Sequence, residues 1–217
     1  MKRQAPRATV ITMLPPLAFF IAAIVLAVTP GPGIAYVVAR TAASGRSEGL
    51  ASCLGTGLGG LLHVAAAALG LSLLLAQSAV AFSVVKYLGA AYLVFLGVRL
   101  LLSKARSTTP AAASGGPRRA FIEGIVVEAL NVKTALFFLA FLPQFVQAGG
   151  SAAAQLIVMG CVCVALNTLV DVLAVFGSVR LLRSGVTARS RALALNRASG
   201  LTLVGLGVYV AVSRRSE

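Results

Sequence analysis

Six long apolar runs dominate this sequence, at residues 15–39, 50–76, 84–102, 121–146, 152–178 and 192–213. A stretch of about 20 apolar residues is long enough to cross a bilayer as a helix. In hydrocarbon every backbone N–H and C=O must be paired within the protein, so helices are the natural form for such runs. The pattern predicts an all-α membrane protein with six transmembrane helices. Composition agrees, since 59% of the 217 residues are hydrophobic and only 11% charged. The whole chain, 1–217, reads as one membrane-embedded domain. Lys2, Arg3 and Arg7 precede the first run like the charged start of a signal peptide. That run is too long for a signal core and no good small-residue cleavage site follows, so it reads as an uncleaved span.

A net charge of +14 suggests a nucleic-acid partner until the charges are located. They lie in short segments between apolar runs, as the positive-inside rule expects, and not on a face that could track a phosphate backbone. Nucleic acid is therefore excluded as a partner, and the lipid bilayer is the expected surrounding. The segments after runs one, three and five hold Arg40 and Arg46; Arg99, Lys104, Arg106, Arg118 and Arg119; and Arg180, Arg183, Arg189, Arg191 and Arg197. Those twelve oppose six on the other side: Lys2, Arg3, Arg7, Lys86, Arg214 and Arg215. The excess places the odd-numbered loops in the cytoplasm and both termini outside. Cys53, Cys161 and Cys163 all fall within apolar runs and imply no disulfide framework.

The one real linker is 103–119, which is small, polar and basic, and reads as mobile. It separates two groups of three spans, 15–102 and 121–213. Repeats with an odd number of spans have opposite topology, so the expected architecture is two inverted three-helix halves. Helices one and four should be interrupted. In the first, Thr29-Pro30-Gly31-Pro32-Gly33 stands between apolar segments. Proline lacks an N–H and glycine weakens a helix, so the stretch reads as a helix restart. Thr29 is the expected cap and Pro30 the expected first helical residue. The N–H groups of Gly31, Gly33 and Ile34 are then free to hold an anion at the positive end of the restarted helix. About a hundred residues on, Leu130-Asn131-Val132-Lys133 interrupts run four. Paired interruptions in two halves are the best pointer in a sequence to a transporter's substrate site.

The other polar residues within the runs are His63, Glu123, Glu128, Asn167 and Asp171. A charge at mid-membrane costs about 2.5–3.5 kcal/mol on insertion scales, so each needs a partner or a role. Asp171 is the deepest acid and shares a helix face with Asn167, four residues earlier. It is the leading proton carrier, with Glu128 as the competing candidate. Glu128 and Lys133 flank Asn131 and either pair with each other or bracket a substrate's charged ends. His63 is either a hydrogen-bond bridge between helices or a proton relay, and Glu123, beside Arg118 and Arg119, reads as a solvated surface acid.

These motifs resemble the LysE/RhtB family of bacterial amino-acid exporters. The likeness rests on Thr29-Pro30-Gly31-Pro32, Leu62-His63, Leu88-Gly89-Ala90-Ala91-Tyr92-Leu93 leading to Gly97, and then Leu130-Asn131, Lys133 and Phe137 to Phe145. It covers nearly the whole chain. The resemblance implies six spans, a bacterial inner-membrane location and export of small amino acids or their derivatives against protons. Four positions depart from the family's usual pattern: Gly33 and Glu128 replace Asn, Val132 replaces Pro, and Gly60 replaces an Asp found in some members. All four surround the implied site.

The expected function is a secondary transporter exporting a small neutral amino acid or derivative of the homoserine, threonine or homoserine-lactone kind. Thr29, Pro30, Gly31, Pro32, Gly33, Asn131 and Lys133 would bind substrate, and Asp171, Glu128 and His63 would serve proton coupling. No nucleotide motif appears, so neither ATP nor another cofactor is expected. The main alternative is a divalent-cation exporter, which needs several ligands converging. A membrane-embedded enzyme would need an acid or histidine cluster near the interface, and the sequence offers none. A homodimer is left open as an assembly.

Overall fold

The computed structural model describes residues 15–71, 79–102, 115–147 and 150–183, and from 197 to 212 all but 198, 199, 202, 206 and 210. Among the described residues every regular element is helical. They are α1 (Leu17–Val28), α2 (Pro32–Ser44), α3 (Arg46–Ala66), α4 (Ala79–Leu102), α5 (Gly116–Ala129), α6 (Val132–Leu136) and α7 (Ala152–Arg183). A π turn, Ala67–Leu71, extends α3. A second π turn, Phe137–Phe141, and a 3₁₀ turn, Leu142–Phe145, extend α6. The described residues of the last apolar run are helical as well.

Two stretches, Arg46–Gly70 and Ala152–Gly177, are each long and apolar enough to cross a membrane. Two bent pairs meet the same standard when taken together: α1 with α2, and α5 with α6 and its extension. Both pairs bend by 42°. Many large apolar side chains point outward over the helices, with Leu102 at 78% exposure, while Glu48, Glu128, Asp171 and the hydroxyls of Ser52, Thr56 and Thr134 are buried. That distribution is the reverse of a soluble bundle's and suits a lipid surrounding. The chain is a multi-pass membrane protein.

The two bends have different causes. Between α1 and α2 the prolines break the ladder, but the caps fall differently from the sequence expectation. Thr29 ends α1, its hydroxyl donating back to the Val25 carbonyl at 2.6 Å. Gly31 is the residue before α2, and Pro32, not Pro30, opens it. Between α5 and α6 there is no proline. Asn131 caps α6, its Oδ1 accepting the Lys133 N–H at 3.1 Å, an Asx cap of the kind that competes with continued helix.

Three boundaries move. Helix α2 runs on to Ser44, so Arg40 is helical rather than in a loop. Gly45, at φ +86°, joins α2 directly to α3, a left-handed turn that glycine adopts without strain. Helix α5 starts at Gly116, which puts Arg118 and Arg119 in a first turn and not in the linker. Residues 103–114 of that linker lie outside the described residues.

Helices pack closely where glycine permits. The most extensive contact joins α3 to α5. There a Cβ on Gly124 would stand 2.8 Å from the Ser52 carbonyl oxygen, and one on Gly59 only 2.7 Å from that of Ile125. Such backbone approach is the small-residue mode of helix association in membranes. The same device joins α4 to the last helical stretch, where Gly97 and Gly200 face each other's carbonyls. The main apolar core gathers Phe19, Leu26, Phe137, Phe138, Phe141 and Phe145. Within it the Phe137–Phe141 and Phe141–Phe145 ring centroids lie 4.7 and 4.8 Å apart.

Candidate functional site

The α1–α2 and α5–α6 breaks line one cavity, together with faces of α3 and α7. Thr29, Gly31, Gly33 and Ile34 come from the first break; Glu128, Asn131, Lys133 and Thr134 from the second. Helix α3 adds Thr56 and α7 adds Asn167, Thr168 and Asp171. Of the expected binding and coupling residues, Pro30, Pro32 and His63 do not line it, and neither does Glu123. The cavity volume is about 30 Å³, room for a water or two.

Each ionisable group in the cavity is held by neutral partners. Glu128 accepts from the Asn131 amide at 2.9 Å and from the Thr134 hydroxyl at 2.7 Å. Asp171 accepts from the Thr56 hydroxyl at 3.1 Å. Lys133 reaches across to the other break, donating to the carbonyls of Thr29 at 2.8 Å and Leu26 at 3.2 Å. Those carbonyls belong to the end of α1, where a helix leaves its last acceptors unpaired and carries partial negative charge. Among the described residues Glu128 and Lys133 form no ion pair. The sequence left open whether they pair; here each turns to a different neighbour.

The glycines of the first break make room for these side chains. A Cβ on Gly31 would lie 2.9 Å from Lys133 Nζ, and one on Gly33 would lie 2.6 Å from Glu128 Oε2. Glu128 therefore approaches the start of α2, whose first N–H groups have no partner within the helix. His63 acts as a bridge from α3 to α5, its Nε2 standing 2.8 Å from the Glu128 carbonyl oxygen, which also accepts the Asn131 N–H at 2.9 Å. Thr56 and Thr134 were not singled out in the sequence. Thr56 sits inside the glycine run of α3, which reads as a packing surface, so nothing local marks its hydroxyl.

A second charged cluster lies toward the far end of α2. Arg40 is 1% exposed, the largest of the fully buried side chains. Its guanidinium pairs with Glu48 at 3.0 Å and with Glu123, and its Nε donates to the Tyr36 hydroxyl at 3.2 Å. Glu48 also accepts the Gly116 N–H at 3.0 Å, and Arg119 pairs with Glu123 at 2.7 Å. Glu123 is thus part of an ion-pair network, not a simple solvated acid. Arg40 and Glu48 were missed because both stand at the ends of apolar runs, where charges ordinarily meet water.

Among the described residues no group of three or more His, Cys, Asp or Glu side chains could hold a metal ion. Cys53 and Cys163 are buried apart and Cys161 is exposed.

The family model for LysE type translocators matches residues 24–214. A homoserine/homoserine lactone efflux protein of Salmonella typhi is 27% identical over 205 residues, covering 92% of this chain and 97% of that one. An uncharacterized membrane protein of Bacillus subtilis (strain 168) is 28% identical over 207 residues, 91% of this chain and 98% of its own. Another, of Pseudomonas aeruginosa, is 31% identical over 196 residues, 86% and 90%. No solved structure matches the chain.

Proposed function

The chain belongs to the LysE type translocator family, whose members are transporters and not enzymes, and from that premise we propose that it exports a small neutral amino acid or amino-acid derivative by proton antiport. Homoserine and homoserine lactone are favoured by the named efflux relatives, and threonine, an isomer of homoserine, is of the same chemical class. One observation supports the site above all others: two helix breaks about a hundred residues apart in the chain share a cavity with two buried carboxylates and one lysine.

In this reading the substrate carboxylate, or the ring carbonyl oxygen of a lactone, meets the N–H groups of Gly31, Gly33 and Ile34, at the positive end of α2. Thr29 and the flanking Pro30 and Pro32 shape that end, while Asn131 and Lys133 bind from the facing half. Asp171 exchanges the coupling proton, with Glu128 as the competing carrier. His63 acts through the Glu128 carbonyl that it bonds. The proposed architecture is six spans in two inverted halves, 15–102 and 121–213, with the 103–119 linker in the cytoplasm. The equal bends of the two broken pairs are what such a repeat would produce.

Purified protein in vesicles tests the reading. Vesicles loaded with labelled threonine or homoserine should lose label faster when diluted into acidic buffer than into buffer of matched pH. Failure to move any neutral amino acid in a panel would overturn it. Movement of manganese or cobalt instead would favour the divalent-cation alternative.

A further inference from the structure

Lys133 is held in an unusual way for a membrane lysine. Its ammonium has two acidic side chains lining the same cavity, yet it bonds two backbone carbonyls across the break. Those carbonyls, of Leu26 and Thr29, are the negative end of α1. The ammonium also crosses from one half of the chain to the other. Gly31 has no side chain at the point where the ammonium passes, since a Cβ there would lie 2.9 Å from Nζ. The cavity beside it holds a water or two at about 30 Å³, so a substrate enters only if something moves.

We propose that the Leu26 and Thr29 carbonyls form a binding site for a primary ammonium, filled by Lys133 in the substrate-free form and by the substrate's own ammonium during transport. This rests on the export reading above. An amino acid is a zwitterion, and the two breaks present two complementary ends, carbonyls closing α1 and N–H groups opening α2. Lys133 is a tethered stand-in for the positive half of such a ligand. When a substrate ammonium takes the carbonyls, Lys133 withdraws toward the incoming carboxylate, and the link between halves loosens. When the substrate leaves, Lys133 returns and closes the site. Acylation leaves one N–H and removes the positive charge and the second donor that the two carbonyls hold in Lys133, so N-acylated derivatives should not be carried.

The test uses the full-length protein with Lys133→Ala and methylammonium as probe. Methylammonium should raise the unfolding temperature of the K133A protein and leave that of the wild type unchanged, as a ligand binding only the folded state does. Tetramethylammonium, which has no N–H to donate, should do nothing. Equal responses of the two proteins to methylammonium, or none in K133A, would overturn the proposal, and neither result depends on what the wild type exports. Failure of wild-type vesicles to carry any amino acid would instead count against the export reading. In vesicles K133A should lose net export, keep substrate exchange and regain net export in methylammonium. If K133A folds in neither condition, Gly31→Ala decides, because its methyl group displaces the same ammonium. That variant should also lose net export and keep exchange, and unaltered net export would overturn the proposal.

Discussion

Two places in the bundle hold charge, and they hold it in opposite ways. Around Arg40 charge meets charge: a guanidinium contacts two carboxylates, and a tyrosine hydroxyl and the Gly116 N–H fill in around them. Around Lys133 charge meets only neutral groups, two carbonyls on one side and amide and hydroxyl donors to the acids on the other. Both tie α1 or α2 to residues beyond 115. A fully paired cluster resists opening, because separating its members leaves a buried charge alone. Neutral partners release a charge at lower cost, and each can be replaced by a ligand group of the same kind. The first cluster suits a fixed joint, the second a site that changes occupants.

Four substitutions would break or sharpen that contrast. Arg40→Met should have the largest effect, about 3–5 kcal/mol of lost stability, because Glu48 stays buried without its cation. Denaturation in mixed micelles would read it, and a loss no greater than that of a surface variant would dissolve the distinction. Gly55→Ala comes next at about 1–3 kcal/mol, the usual cost of overpacking, since its methyl would press on the Phe121 carbonyl and the Gly124 backbone. The same denaturation series checks it, and full stability would mean that the α3–α5 seam yields easily. Asp171→Asn belongs to the cavity and should change stability by no more than about 1 kcal/mol, as an amide oxygen can still accept from Thr56. Its effect should appear in transport: export driven by a pH gradient lost, exchange of labelled substrate retained. Normal gradient-driven export would shift the proton role to Glu128, with Glu128→Gln as the next measurement. Arg119→Ala should be the mildest, under about 1 kcal/mol, because its pair with Glu123 is exposed.

Hydropathy made the spans legible because a bilayer rewards length and apolarity in one dimension, which a sequence records directly. The first break was legible for the same local reason, through two prolines and two glycines. Its caps were misplaced because Thr29 and Gly31 both suit a helix end, and which one closes α1 depends on the bond to Val25. The second break was marked only by an amide and a lysine in mid-run, Asn131 and Lys133, and Asn131 proves to cap the helix beyond it. Arg40 was illegible. It follows an apolar run as a loop cation would, and one of its partners, Glu123, is 83 residues away. Thr56 and Thr134 were hidden likewise, since a hydroxyl's role is set by the acid it meets in three dimensions.

The π turn at Phe137–Phe141 has a consequence for the length of the chain. Its bonds enclose one residue more than an α turn, and the 3₁₀ turn at Leu142–Phe145 encloses one fewer. Deleting one residue within Phe137–Phe141 lets the chain close as an ordinary α turn with everything beyond it still in phase. Deleting one within α5 would rotate all that follows by about 100° and carry Glu128 and Asn131 away from the cavity. Single-residue length differences between this chain and its relatives are therefore expected at the phenylalanine turn, and not in α5.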